Sequence, residues 1–363
     1  MTDFEELLER IIDEIPKLDS SSDYWLIRSN SGEYYTDFNI NSYIGIGWNE
    51  ITLQDIIDAN NSSDQLKPVL KQKMKIDSEK EPTENVYGSA AGQMLRFVNN
   101  IKINDIVVVP SEKSERFLVG KVTGRPFEIS DKELTESIDE ELHYTKSDFK
   151  KRIKVRWMGW FRREDADSAL YKMIYTHNTL STVNDYRSFI NRALLPYYIQ
   201  DDKLYLTYKV TETSDIQGMY LGQFVYQYSK INFLLSPENR LDSKVNVQSN
   251  GVVEFISESV HAGLLIFFLV SSGGITFLGG KVTLFGKEFE ATGLLRSIKS
   301  YIQNNKETQI DLDTKQLEYL EKANETAKKL NVPISALGIK TPEGFTEKIQ
   351  EQLDSKKEKN EPS

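Results

Sequence analysis

The chain has 363 residues, a formal net charge of −10, a sequence pI near 5.1, no cysteine and three histidines, His143, His177 and His261. The lack of cysteine excludes disulfides, thiolate nucleophiles and Cys-ligated zinc or iron–sulfur clusters, and three scattered histidines speak against a multi-His metal centre. The length suits two domains with real cores, and the acidity argues against a general coat of positive charge for gripping nucleic acid.

Residues 1–20 read as a segment built on one amphipathic helix. Thr2 and Glu5 fit a capping box, and Phe4, Leu7, Leu8, Ile11 and Ile15 share a face. Acidic residues in the first turn speak against a secretory leader. Residues 21–198 read as a mixed α/β domain. Strands are predicted at Tyr24–Arg28, Tyr43–Trp48, Ile106–Val109, Phe117–Val122 and Arg152–Trp157. Helices are predicted at Leu53–Ala59, Asp64–Met74 and Val86–Ile101, with one more through Tyr186, Phe189, Ile190 and Leu194; Lys75–Glu84 reads as an exposed loop.

Residues 199–305 read as an α+β domain for an effector or oligomerisation role. It holds a strand at Leu204–Val210, an aromatic helix at Asp215–Leu235, a hairpin around Ser249-Asn250-Gly251, a second hairpin around Gly286 and a helix at Gly293–Gln303. Residues 306–363 read as a charged helical tail. Its first helix, Gln309–Leu330, is broken by Asn331-Val332-Pro333; a second starts at Thr341-Pro342-Glu343, and order is lost from Lys356.

Ser259 to Gly280 is a run of 22 residues without Asp, Glu, Lys or Arg, centred on Leu264–Val270. About 20 apolar residues cross a bilayer. Gly273-Gly274 and Gly279-Gly280 interrupt this run, and a helix ending at Ser272 suits a buried core or a subunit interface. A cytoplasmic protein is therefore expected, with membrane association through 260–280 as the alternative.

Lys146 to Arg163 reverses the overall charge: eight basic residues face one acid, Asp148, for a net +7, with Trp157, Trp160 and Phe161 interleaved. Cations neutralise phosphates and rings stack on bases, so the pattern suits nucleic acid; equally, this block could pair with the acidic stretch Asp131–Glu141 on a solvated surface. Strand alternation puts Arg152, Lys154 and Arg156 on one face, and Ile153, Val155 and Trp157 on the other. Trp157 is then either core or the lining of a pocket.

The string W-L-I-R at Trp25–Arg28 is followed by I-G-I-G-W at Ile44–Trp48, D-I-V-V-V-P at Asp105–Pro110, F-L-V-G-K-V-T-G at Phe117–Gly124, R-x-x-V-x-W at Arg152–Trp157 and then Arg162-Arg163. Over about residues 23 to 195 this resembles the N-terminal domain of Mrr-type restriction-system and other prokaryotic defence proteins, which is similar to PUA-like (EVE- and YTH-like) domains. The resemblance implies a small β-barrel with flanking helices that holds a modified or flipped base. It makes Trp25, Trp48 and Trp157 candidates for ring contacts, and Arg28, Ser111 and Arg162 candidates for polar ones. Arg152, Lys154, Arg156, Arg162 and Arg163 become the candidate phosphate contacts.

The nuclease element that Mrr-type proteins carry, an Asp followed by Glu/Gln-x-Lys, is missing from residues 195–363, and no phosphate-loop, nucleophile-elbow or zinc-protease motif is present. The expected protein is a nucleic-acid, modified-base or nucleotide sensor in phage defence, without metal or cofactor, coupled to a homo-oligomerising domain. A nuclease with dispersed carboxylates (Asp201, Glu254, Glu290) and a purely structural interaction protein are the alternatives.

Overall fold

The structure, a computed structural model, describes residues 3–74, 82–136, 144–175, 178–212, 214–247, 251–272, 275–278, 280–290, 292–294, 296 and 312–360. His143, His177, the loop at 75–81, the turn residues Ser249-Asn250 and most of the helix expected at Gly293–Gln303 lie outside the described residues. The chain is mixed α and β and divides into two compact units, residues 21–194 and residues 1–20 with 195–363.

The helix α1 (Asp3–Glu14) and the short strand β1 (Lys17–Leu18) open the chain and belong to the second unit. The first unit then runs β2 (Tyr24–Ile27), α2 (Tyr35–Asn41), β3 (Tyr43–Ile46), α3 (Leu53–Asp58), α4 (Ser63–Lys73), α5 (Glu84–Leu95), β4 (Ile106–Pro110), β5 (Arg116–Val122), β6 (Phe127–Glu128), α6 (Asp131–Glu136), β7 (Lys151–Arg162), α7 (Tyr171–Ile174), β8 (Leu180–Thr182) and α8 (Arg187–Leu194). Its seven-stranded sheet has the order β3-β7-β5-β4-β2-β8, with β6 also on β7; β2 and β4 are parallel.

Both faces of the central strands β2 and β4 are covered. Trp25, Ile27, Val107, Val109 and Leu118 pack on one side with residues of α2 to α5, while Tyr24, Leu26, Ile106, Val108 and Phe117 pack on the other with Met173 of α7 and Ile190 of α8. A strand covered on both faces has no solvent side, which is why Tyr24–Ile27 and Ile106–Pro110 are apolar at nearly every position.

The pairing of β5 with β7 contains a bulge: Gly120 stands opposite Trp157 but Val119 stands opposite Gly159, so Met158 is the extra residue. An extra residue exchanges the faces of everything beyond it. Before the bulge, Ile153, Val155 and Trp157 join Leu118 and Val122; after it, Phe161 joins Phe117 and Val119 on the opposite side. The strand therefore continues five residues past the predicted end at Trp157.

The second unit adds β9 (Tyr197–Gln200), β10 (Lys203–Val210), α9 (Gly218–Leu235), β11 (Leu241–Val247), β12 (Gly251–Ser257), α10 (Val260–Ser271), β13 (Thr276–Leu278), β14 (Lys281–Leu284), β15 (Lys287–Glu290), α11 (Leu312–Ala336), β16 (Ile339–Lys340) and α12 (Phe345–Asn360). Its main sheet has the order β1-β9-β10-β12-β11 with β16 beside β10, and β13-β14-β15 form a second sheet. Parallel pairing of Lys17 with Ile199 joins the two parts of the chain.

The apolar run becomes α10, 12 residues whose Ala262–Val270 stretch is buried throughout. Among the described residues no helix is long and apolar enough to cross a membrane. Phe4 and Ile11 of α1, Leu264–Val270, Leu320 and Phe345 share one core, so residues 1–20, 199–305 and 306–363, read from sequence as three segments, form one unit.

Three element boundaries differ from expectation. α11 continues through Pro333 to Ala336, because Leu330 and Leu337 on either side are buried and their packing outweighs the one backbone bond a proline removes. α12 runs to Asn360, past Lys356, along a Lys/Glu sequence of good helix formers. The helix expected to end at Ile101 is α-helical only to Leu95, with a wider turn over Arg96–Asn100.

Candidate nucleic-acid interface

β7 carries most of the basic residues, and alternation sorts them. Lys151, Ile153 and Val155 are buried, while Lys154 and Arg156 are exposed and Arg152 is half-buried. Lys151 is wholly inside. Its Nζ donates to the carbonyls of Trp48 at 2.8 Å and Ile51 at 2.7 Å, and burial pushes the ammonium down to about 8 against the opposing pull of Glu128, Glu50 and Asp55. One cation of the +7 stretch is thus a structural strut.

Arg152 is also committed. Its guanidinium lies 4.0 Å from the Tyr43 ring centroid and donates to the carbonyls of Phe149 (2.7 Å) and Ser147 (3.2 Å). Lys150 pairs with Asp131 at 2.5 Å. So part of the basic block does meet the acidic one.

What is left on the outer face is a smaller group. Arg156 stands directly across from Lys121 of β5, and Lys154 lies with its Nζ 5.8 Å from the Phe127 ring centroid. Arg125, exposed on the turn between β5 and β6, belongs to the same end of the sheet. Among the described residues, Lys121, Arg125, Lys154 and Arg156 have no ion-pair partner. Lys121 escaped the sequence reading because its place opposite Arg156 depends on the β5–β7 register, which the bulge sets.

Arg162 and Arg163 are not part of this group. Arg162 follows the bulge, faces the other side of the sheet opposite Arg116 and pairs with Glu164 at 3.1 Å. Arg163 lies past the strand end, near the Tyr171 ring at 5.8 Å and the Lys113 carbonyl at 3.5 Å. The bulge cuts the predicted phosphate set in two.

The predicted pocket residues do not converge. Trp25 is core, its indole N–H donating to Asp105 at 2.9 Å. Arg28 donates to the Ile174 carbonyl at 2.5 Å, and burial lowers its pKa. Trp48 is half-buried with a φ of 57°, and its carbonyl is taken by Lys151. Ser111 closes the β4–β5 turn, its hydroxyl accepting from the Arg116 N–H at 2.9 Å. Trp157 lies against the Gly120 backbone and donates to the Phe38 carbonyl at 3.1 Å. Two strands stand between β2 and β7, so Trp25 and Trp157 are about 14 Å apart across the sheet at the usual strand spacing.

The carboxylates considered for a nuclease are dispersed. Glu254 is fully buried with the Lys244 Nζ 3.6 Å away, Asp201 accepts from Ser20 at 2.6 Å, and Glu290 is exposed at the end of β15. Among the described residues no group of three or more His, Asp or Glu is placed to hold a metal ion.

A family model matches residues 24–184: Domain of unknown function (DUF8426). The match lies within the first unit and contains all of the candidate interface. No curated protein and no solved structure matches the chain.

Proposed function

We propose that residues 24–184 form a nucleic-acid-binding domain that holds a phosphate backbone against the outer face of β5 and β7. The observation that carries the reading is the group Lys121, Arg125, Lys154 and Arg156: four cations that, among the described residues, have no carboxylate partner. Such cations displace counterions from a polyanion, a favourable term that requires no base recognition. The favoured contact is backbone rather than a closed base pocket, because the indoles of Trp25 and Trp157 are already hydrogen-bonded within the domain.

The resemblance to PUA-like domains of defence proteins supports the same reading. A single sheet whose long strand β7 meets β5 and β6 along one edge and β3 along the other is the kind of curled sheet from which a small barrel is built. A sensor role in phage defence, with the second unit as the assembling part, follows from that resemblance.

The test is fluorescence anisotropy of the full-length chain with labelled single-stranded and duplex DNA and RNA, from about 50 to about 200 mM salt. Binding should weaken steeply with salt. The triple variant K121Q/K154Q/R156Q should bind at least about tenfold more weakly and with a shallower salt slope, whereas R162Q/R163Q should bind as the unaltered chain does. Equal binding by the triple variant, or none by the unaltered chain, overturns the proposal.

A further inference from the structure

The helix α9 is apolar on two sides. Phe224, Tyr228, Ile231 and Leu235 are buried in the core of the second unit, yet Met219, Tyr226 and Phe233 are 62%, 62% and 67% exposed. These three recur every seven residues and so lie along one line of the helix surface. The helix contains a single charged residue, Lys230. With Gln223 and Lys230 exposed beside it, this line is an apolar stripe with a polar rim, a pattern that marks an interaction surface.

We infer that α9 is the contact between two copies of this chain, paired antiparallel about a two-fold axis at Tyr226. The pattern is self-complementary in that arrangement. Met219 meets Phe233 of the second copy at both ends and Tyr226 meets Tyr226 at the centre. Lys230 meets Gly222, where a Cβ would find nothing within 4 Å, so there is room for the lysine stem. A parallel pair would instead set Lys230 against Lys230. Antiparallel pairing separates the two lysines by about 12 Å along the axis at 1.5 Å per residue, beyond the Debye length at physiological salt.

The area is adequate. At about 200 Å² per side chain, the exposed parts of the three apolar residues amount to about 400 Å² per copy. With Gln223 and the lysine stem, the pair approaches the roughly 1,000 Å² of a small specific interface. This inference stands on the second unit alone and does not depend on nucleic-acid binding.

The absence of cysteine makes the test direct. Light scattering coupled to size exclusion should show the full-length chain as a dimer at tens of micromolar, and Tyr226→Glu should be monomeric, with an unchanged far-ultraviolet circular dichroism spectrum and an unfolding midpoint that no longer depends on protein concentration. In single-cysteine variants under mild oxidation, Tyr226→Cys should form a covalent dimer. Phe233→Cys alone should not, because its two copies lie about 21 Å apart. An equimolar mixture of Met219→Cys and Phe233→Cys should cross-link. A chain monomeric at every concentration overturns the inference, and Tyr226-dependent pelleting of that monomer with phosphatidylglycerol vesicles would assign the face to a lipid surface. Cross-linking of Phe233→Cys with itself overturns the antiparallel geometry.

Discussion

The indole nitrogen of Trp25 in β2 donates to the carboxylate of Asp105, just before β4, across 2.9 Å of protein interior. The same carboxylate accepts from the backbone N–H groups of Asp23 (3.1 Å) and Lys102 (2.9 Å). Three donors depend on one buried side chain. Asp105→Ala should destabilise the first unit by about 3 kcal/mol, since unmet buried donors are costly, and Trp25→Phe by about 1 kcal/mol. Urea unfolding measures both. Nucleic-acid affinity of Trp25→Phe should equal that of the unaltered chain, which separates a core tryptophan from a ring contact.

Lys151 predicts a pH dependence of definite sign. The unfolded chain holds this proton to about 10.5, and the folded chain only to about 8. Between those values the unfolded state binds more protons, so this residue's contribution to stability rises with pH, by up to about 3 kcal/mol across the window. The difference in unfolding free energy between the unaltered chain and Lys151→Met should therefore shift in favour of the unaltered chain from pH 8 to pH 10. A flat difference would show that the ammonium is not desolvated.

Arg152 and Arg156 share a strand face and should behave oppositely. Arg152→Gln removes the donor to Phe149 and the cation over Tyr43, and should lower stability by about 1–2 kcal/mol. Arg156→Gln should leave stability within about 0.5 kcal/mol and weaken oligonucleotide binding. Thermal unfolding and anisotropy on the same two samples decide it.

Gly120 is fixed by its neighbour. A Cβ there would lie 2.5 Å from Trp157 Cε3 and 3.2 Å from the Arg156 carbonyl. Gly120→Ala should cost about 1–3 kcal/mol as overpacking. Adding Trp157→Leu should recover part of the loss, a coupling that a double-mutant cycle reads directly.

The sequence revealed more of the fold than of the site. Local signals sufficed where a strand or helix is decided by its own residues: the aliphatic strings at Tyr24–Ile27 and Ile106–Pro110, the one-sided α1, and the helix α10, whose end at Ser271 lies one residue from the stop suggested by Gly273-Gly274, although the sequence left a membrane role open. Even the alternation of Arg152, Lys154 and Arg156 was legible. What could not be read was anything that depends on register. One extra residue, Met158, sends Arg162 to the other face, and only the pairing of Gly120 with Trp157 exposes it. Long-range partners were equally hidden: nothing near Lys151 in sequence says that Trp48 and Ile51 will take its ammonium. Pro333 was misread because its cost is local and the packing that covers it is not.

The first twenty residues share a core with residues 195 onward, while residues 21–194 form a unit of their own. During synthesis this imposes a delay. At about 5–20 residues per second, α1 leaves the ribosome on the order of ten to forty seconds before the first strand it can join. Its face of Phe4, Leu7, Leu8, Ile11 and Ile15 has no core to enter through that interval. The intervening unit can fold first, because both its ends meet: Asn184 bonds Asp23 at 2.9 Å and Arg187 bonds the Ser22 carbonyl at 2.7 Å. Its folding brings the two distant stretches together, so the order of translation makes the inserted domain the template for closing the one around it.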